Sequence, residues 1–135
     1  MKYWYYVTID PTTPGLLNVE DGGGIVVDSA DDEPQIITWQ LLLPESKPGL
    51  FTGFGWHRLH TPPKGTFGPA KLSADMLELN LPDHNKKKGH GWVYQLAASV
   101  DGHSYTTNLT RTTSPPKLAY GTIVYTSSNP TIKNK

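Results

Sequence analysis

The sequence predicts an all-β protein, an antiparallel sandwich of about seven to nine strands. Two observations favour this class. The chain of 135 residues contains 12 prolines and 13 glycines, which interrupt it too often for ordinary helices. The runs between these breaks are rich in Val, Ile, Thr, Tyr and Trp, which pack well on a pleated surface. Residues 1–135 are long enough for one domain with a single core and leave little room for a second.

Each strand is predicted from an apolar run bounded by turn residues. In chain order, the predicted strands are Tyr3–Ile9, Leu16–Val19, Ile25–Asp28, Gln35–Leu43, Phe51–Leu59, the end of 70–81 after a short turn, Trp92–Val100, His103–Leu109 and Leu118–Thr126. Glu20–Gly24 and Asp101–Gly102 predict hairpin turns. Residues 61–69 predict a loop. The tail at 129–132 predicts a short edge segment or a frayed end.

The clearest strands suggest where the core lies. Ile37, Trp39 and Leu41 alternate with polar residues, so they share one face of their strand. A later strand carries Trp92 and Tyr94 ahead of the tight Asp-Gly turn. Large aromatic residues on two such strands resemble an immunoglobulin-like core without its cysteine pair, and we expect Trp39 and Tyr94 to pack together.

Two dipeptides and the tail carry a narrower resemblance. Asp10-Pro11 closes the first strand, Glu33-Pro34 opens the strand of Trp39, and the chain ends with a Pro-Thr-Ile-Lys-Asn segment at 130–134. These features resemble the DP-EP family of small uncharacterised bacterial proteins. The resemblance implies a compact bacterial β domain and supplies no catalytic residues.

Composition limits the possible partners. The 12 basic and 12 acidic side chains balance, so we expect no nucleic-acid and no membrane partner. The absence of cysteine excludes disulfides and thiolate metal sites. The apolar start of the chain stops at Asp10 without a cleavage site, so we expect no signal peptide and a cytoplasmic location.

Motifs for catalysis, metals and cofactors are weak. His57 and His60 face opposite ways on a strand, and the acidic residues of 28–33 lack the frame of a calcium loop. Gly22–Gly24 leads into a strand and not a phosphate-binding helix, while 86–88 predicts a solvated lysine loop. We therefore expect no catalytic residues, no metal and no cofactor. A small hydrolase or metal-binding protein stays the less favoured alternative.

Aromatic residues are the best functional lead. The first strand carries rings on both faces, although a half-buried strand needs them on one face only. Gly53 and Gly55 predict a bulge or a close approach in the other aromatic strand. The predicted ligand-binding residues are Trp4, Tyr5, Tyr6, Phe54 and Trp56.

These rings predict a non-catalytic module that binds a carbohydrate or peptide through an aromatic sheet face or through end loops. The competing interpretation is that loops such as 61–69 cover the rings and make them ordinary core. The alternative function is a structural protein that forms homo-oligomers through an edge strand, because Tyr3–Ile9 carries no charged residue to discourage pairing.

Overall fold

The computed structural model of the protein describes residues 3–27, 34–56, 61–85, 89–107 and 130–135. These residues confirm the all-β prediction. The strands are β1 Tyr3–Ile9, β2 Leu17–Val19, β3 Gly24–Val27, β4 Gln35–Leu41, β5 Gly49–Trp56, β6 Lys71–Leu72, β7 Glu78–Asp83, β8 Gly91–Val100, β9 His103–Thr106 and β10 Thr131–Asn134. The predicted strand at 118–126 lies outside the described residues.

The strands form two mixed sheets. The first has the order β2-β1-β4-β7-β6. The second has the order β3-β10-β8-β5, with β9 paired to β8 as its fifth strand. The prediction of purely antiparallel sheets is wrong, because β1 pairs with β4 in parallel and β3 pairs with β10 in parallel. Side-chain alternation is the same in both pairing directions, so the sequence pattern carries no information on direction.

The predicted hairpin at Glu20–Gly24 is also wrong. The segment Glu20–Gly23 forms a short 3-10 turn that carries the chain from β2 in the first sheet to β3 in the second. Gly23 has a φ of 76°, and a Cβ there would lie 2.5 Å from the Cβ of Pro130. Glycine is therefore required for a close approach between segments, and turn residues alone do not say which strands they join.

Other local predictions are confirmed. Asp101 and Gly102 have φ values of 52° and 79°, the left-handed pair that a tight hairpin needs between β8 and β9. The pairing of β5 with β8 shifts register between Phe51 and Gly53, which is the predicted bulge. The tail differs from its prediction, because β10 lies between β3 and β8 and not at an edge.

Asp10 organises the turn after β1. Its Oδ1 accepts the backbone N–H groups of Thr12 and Thr13, each at 2.8 Å, and its Oδ2 accepts the side-chain amide of Asn18 at 2.9 Å. These hydrogen bonds lower the pKa of the carboxyl, with the Asn18 bond first among the causes. The acidic residue of Asp10-Pro11 is therefore explained by turn geometry.

Inward side chains of both sheets pack into one hydrophobic core. Trp39 of β4 is 0% exposed, and its ring lies 5.0 Å from that of Tyr94 on β8. The Trp39 Nε1–H donates to the Tyr94 hydroxyl at 3.2 Å, and that hydroxyl donates to the carbonyl of Gly23 at 3.1 Å. The predicted contact between Trp39 and Tyr94 is thus confirmed, and it joins the two sheets at their centre.

Candidate functional site

The five aromatic residues predicted as ligand-binding residues do not share one face. Trp4 and Tyr6 project outward from β1 and are 40% and 45% exposed. Tyr5 lies between them on the inward face and packs against the core. Phe54 and Trp56 belong to the second sheet, where they are also partly buried against the core. The structure therefore brings Trp4 and Tyr6 together and separates them from the other three.

The outward position of Trp4 and Tyr6 follows from the alternation along β1. Tyr3 and Val7 are buried on the inward side, so the even-numbered residues must point away from the core. Two residues along a strand span about 7 Å, which places the two rings next to each other on one surface. In the described residues, no other Phe, Tyr or Trp side chain is as exposed as these two.

Polar side chains continue the surface from the rings across the sheet. Trp4 is opposite Thr38 on β4, which is opposite Asn80 on β7. Neighbouring strands lie about 4.8 Å apart, so each row forms a continuous strip. The second row runs from Tyr6 through Gln40 to Glu78. We call these six residues the outer aromatic face: Trp4, Tyr6, Thr38, Gln40, Glu78 and Asn80.

One hydrogen bond orients the Asn80 amide on this face. The Thr38 hydroxyl donates to Asn80 Oδ1 at 2.6 Å, and Thr38 is 7% exposed between its neighbours. Because the oxygen faces Thr38, the amide nitrogen of Asn80 is directed away and can donate to a ligand. The face thus combines two ring surfaces with a positioned donor, a second amide at Gln40 and a carboxylate acceptor at Glu78.

Glu20 borders the outer aromatic face at the open side of β1. Strand β2 pairs only with residues 7–9 of β1, and the Glu20 carboxylate then accepts the backbone N–H of Tyr6 at 3.2 Å. The pKa of the Tyr5 phenol on the inward face is raised, mainly by burial and then by Tyr3, Asp21 and Glu20. The carboxylate therefore takes the place of a strand partner where β2 has ended.

Phe54 and Trp56 belong to an interior chain of rings. Ring centroids lie 5.5 Å apart for Trp39 and Phe54, 5.0 Å for Phe54 and Trp56, and 4.7 Å for Trp56 and Phe67. Phe67 comes from the loop at 61–69, and it also contacts Trp92 at 5.5 Å. The loop therefore covers Trp56, as the competing interpretation proposes, but Trp4 and Tyr6 stay exposed.

Sequence reasoning missed a buried carboxyl group. Asp83 ends β7 and is 0% exposed; its Oδ1 accepts the backbone N–H of Asn85 at 2.7 Å, and the Asn134 side chain also bonds it. Burial is the largest influence and raises the pKa of Asp83 above its ordinary 3.8. The alternation of Leu79 and Leu81 continues to Asp83, so an inward position was readable from the sequence.

Metal-binding side chains do not come together in the part of the chain that the structure describes: no group of three or more histidines and acidic residues lies close enough to hold an ion. His57, His60, the acidic segment 28–33 and the lysines of 86–88 lie outside the described residues. His90 stacks against Trp92 at a centroid distance of 6.4 Å, which is a packing contact.

Comparison with known protein families and with curated proteins does not indicate a function for this sequence. No protein-family model matches the sequence, and no curated protein matches it significantly. Over the described ranges, no helix has the length and apolarity to cross a bilayer. The class that the structure defines is an all-β protein of two mixed sheets with an aromatic and polar outer face.

Proposed function

We propose that the protein is a non-catalytic binding module that holds a carbohydrate chain on the outer aromatic face. The observation that carries this proposal is the pair Trp4 and Tyr6, whose rings are 40% and 45% exposed side by side on β1. Monomeric proteins bury most large aromatic surfaces, so two adjacent exposed rings at regular spacing indicate a contact surface.

The chemistry around the rings favours a carbohydrate. The faces of Trp and Tyr rings stack on the apolar C–H faces of sugars, while sugar hydroxyls need both donors and acceptors. Asn80 offers a positioned N–H group, Glu78 offers acceptor oxygens and Gln40 offers both. Hydrophobic surfaces with a few oriented polar groups are the usual composition of ligand sites.

A peptide ligand is less well matched to the same face. Peptides added to a sheet depend on main-chain hydrogen bonds at an exposed edge. Strand β4 pairs with β1 on one side and β7 on the other, so the backbone at the centre of the face is paired. Among the described residues, backbone next to the face is open only on the side of β1 that β2 leaves before Val7. The ring surfaces and polar side chains of the face suit a polyhydroxylated ligand better.

Self-association through β1 is the second candidate function. Pairing with β2 stops at Val7, so the first half of β1 has no strand partner on that side within the described residues. The Glu20 carboxylate accepts the Tyr6 N–H there, and a second copy could displace it. Light scattering at high concentration tests this candidate: a monomer that stays monomeric in Glu20→Ala excludes it.

We also propose a finer fold class for the protein, the immunoglobulin-like sandwich. The packing of Trp39 on Tyr94 across the two sheets supports an immunoglobulin-like sandwich, with the parallel pairs as its departure from the antiparallel pattern. The DP-EP resemblance, with its bacterial origin, and the cytoplasmic location stay predictions from the sequence.

A glycan array with peptide controls tests the proposed function. The wild-type protein should bind carbohydrate spots and no peptide spots. Trp4→Thr and Tyr6→Thr should each weaken binding at least about tenfold, because each removes one stacking surface from a two-ring face. Thr keeps the β-preference of the position, so the variants should stay folded.

Val26→Thr is the matched control, since Val26 is an exposed strand residue in the second sheet. Its binding should equal that of the wild type. Carbohydrate binding that survives both ring variants, or an array without carbohydrate signal, contradicts the proposal.

A further inference from the structure

We infer that the carbohydrate bound on the outer aromatic face is uncharged, and that the face rejects sugars that carry a carboxylate. This inference rests on the proposed function and adds the class of ligand. Its basis is the position of two carboxylates, Glu20 and Glu78, on either side of Tyr6.

The two carboxylates approach Tyr6 from opposite directions. Glu20 follows β2 and accepts the Tyr6 backbone N–H at 3.2 Å. Glu78 ends the row from Tyr6 through Gln40, two strands away, which is about 10 Å. Glu20 lies next to a ligand on Tyr6, and Glu78 lies one strand, about 4.8 Å, from a ligand that extends over Gln40. Both separations are shorter than the Debye length of about 8 Å at physiological salt, so both groups repel an anion on this row.

No lysine or arginine among the described residues forms an ion pair with Glu20 or Glu78. The ion pair seen within the described ranges joins Lys47 and Asp101, which belong to other turns. Lys71 lies beyond Asn80 at the far end of the Trp4 row, three strands from Trp4. Among the described residues, the row from Tyr6 through Gln40 to Glu78 therefore contains carboxylates beside it and no basic side chain, while Lys71 continues the Trp4 row.

The hydrogen-bonding capacity of the outer aromatic face also favours an uncharged carbohydrate. The carboxylates of Glu20 and Glu78 only accept hydrogen bonds, so their partner must donate. A sugar hydroxyl donates to such an acceptor and also accepts from the Asn80 N–H group. A uronate carboxylate takes the place of one hydroxyl-bearing group and only accepts, so an acceptor of the face opposite it would be left unpaired and would also meet its charge. Like charges placed against each other are a standard source of specificity.

An oligosaccharide array in matched pairs tests the inference. Each pair contains a neutral hexose and its uronic acid: glucose with glucuronic acid, galactose with galacturonic acid, and mannose with mannuronic acid. The wild-type protein should bind the neutral member of its preferred pair at least about tenfold more strongly than the acid.

Glu78→Gln removes one charge from the face with little change of shape, and it should narrow this preference to about threefold or less. Glu45→Gln removes one charge from an exposed turn away from the face, and it should leave the preference unchanged. Raising the salt concentration to about 0.5 M should also narrow the wild-type preference, because salt screens exposed charges. The salt series needs no variant, so it keeps the test valid if Glu78→Gln is unstable.

The outcomes separate this inference from the proposed function. Three results overturn the inference: equal binding of both members of a pair, a preference for the acid, or a preference that Glu78→Gln leaves unchanged. The proposed function still stands in these cases if Trp4→Thr weakens binding at least about tenfold. An array on which neither member of any pair binds overturns both.

Discussion

The inner and outer aromatic residues of this protein differ in what their rings contact. The inner rings, from Trp39 through Phe54 to Trp56, touch one another at centroid distances of 5.0–5.5 Å and fill the space between the sheets. Trp4 and Tyr6 lie on the other side of the first sheet and are close to half exposed. Both regions consist of large aromatic side chains. The side of the sheet on which a ring lies, and not its residue type, therefore decides whether it stabilises the fold or is available to a ligand.

The largest expected effect is on the inner side. Trp39→Ala should lower the free energy of unfolding by about 3–5 kcal/mol, because it removes a fully buried ring and leaves a cavity between the sheets. Urea unfolding followed by circular dichroism measures the loss. A loss below about 1 kcal/mol would mean that Trp39 does not anchor the core.

A smaller effect is expected at the hydroxyl that joins the sheets. Tyr94→Phe keeps the ring but removes the group that accepts from Trp39 Nε1–H and donates to the Gly23 carbonyl. Two buried polar groups lose their partner, so the free energy of unfolding should fall by about 1–3 kcal/mol. The same urea titration measures it, and Tyr6→Phe, an exposed hydroxyl, is the control that should change nothing.

Buried and exposed carboxyl groups give the next contrast. Because the folded state raises the pKa of Asp83, it holds that proton to higher pH than the unfolded chain does. The Asp83 contribution to stability is therefore complete below the ordinary pKa of 3.8 and is lost as the pH rises through the raised value.

Asp83→Asn removes the charge at this site. It should raise the free energy of unfolding at pH 7 by about 1 kcal/mol and flatten its decline above pH 4. Urea titrations at several pH values measure both changes, with Glu45→Gln as the exposed control. A variant that is less stable than the wild type at pH 7 would show that the ionised carboxylate contributes favourable contacts.

The smallest expected effect on stability is at the outer rings. Trp4→Thr should change the free energy of unfolding by less than about 1 kcal/mol, because the ring is largely on the surface and Thr suits a strand. Thermal and urea unfolding measure it. A loss comparable to that of Trp39→Ala would make Trp4 a core residue and would remove the basis of the proposed function.

Much of the fold was readable from local patterns. The apolar run that ends at Asp10-Pro11 predicted the bounds of β1, and Asp101-Gly102 predicted the hairpin, because both depend on neighbouring residues only. The parallel pairing of β1 with β4 and the crossing at Glu20–Gly23 depend on partners far along the chain, and no local pattern encodes them.

Only part of the candidate site could be predicted from the sequence, for the same reason. Alternation separates Trp4 and Tyr6 from Tyr5 on β1, but it cannot say which side of the strand faces the core when both sides carry rings. The neighbours Asn80 and Glu78 join the face only through the pairing of β4 with β7. Phe54 and Trp56 are partly buried because Phe54 packs on Trp39 and Phe67 of a distant loop packs on Trp56.

Quenching of tryptophan fluorescence tests the central claim most directly, since the four tryptophans differ in exposure and Trp4 alone is among the exposed residues. Acrylamide, an uncharged quencher, should quench one fraction of the emission most strongly, this fraction should disappear in Trp4→Phe, and the bound neutral oligosaccharide from the array should protect it in the wild-type protein. A quenched fraction that persists in Trp4→Phe, or one that the bound oligosaccharide leaves equally accessible, would contradict the account.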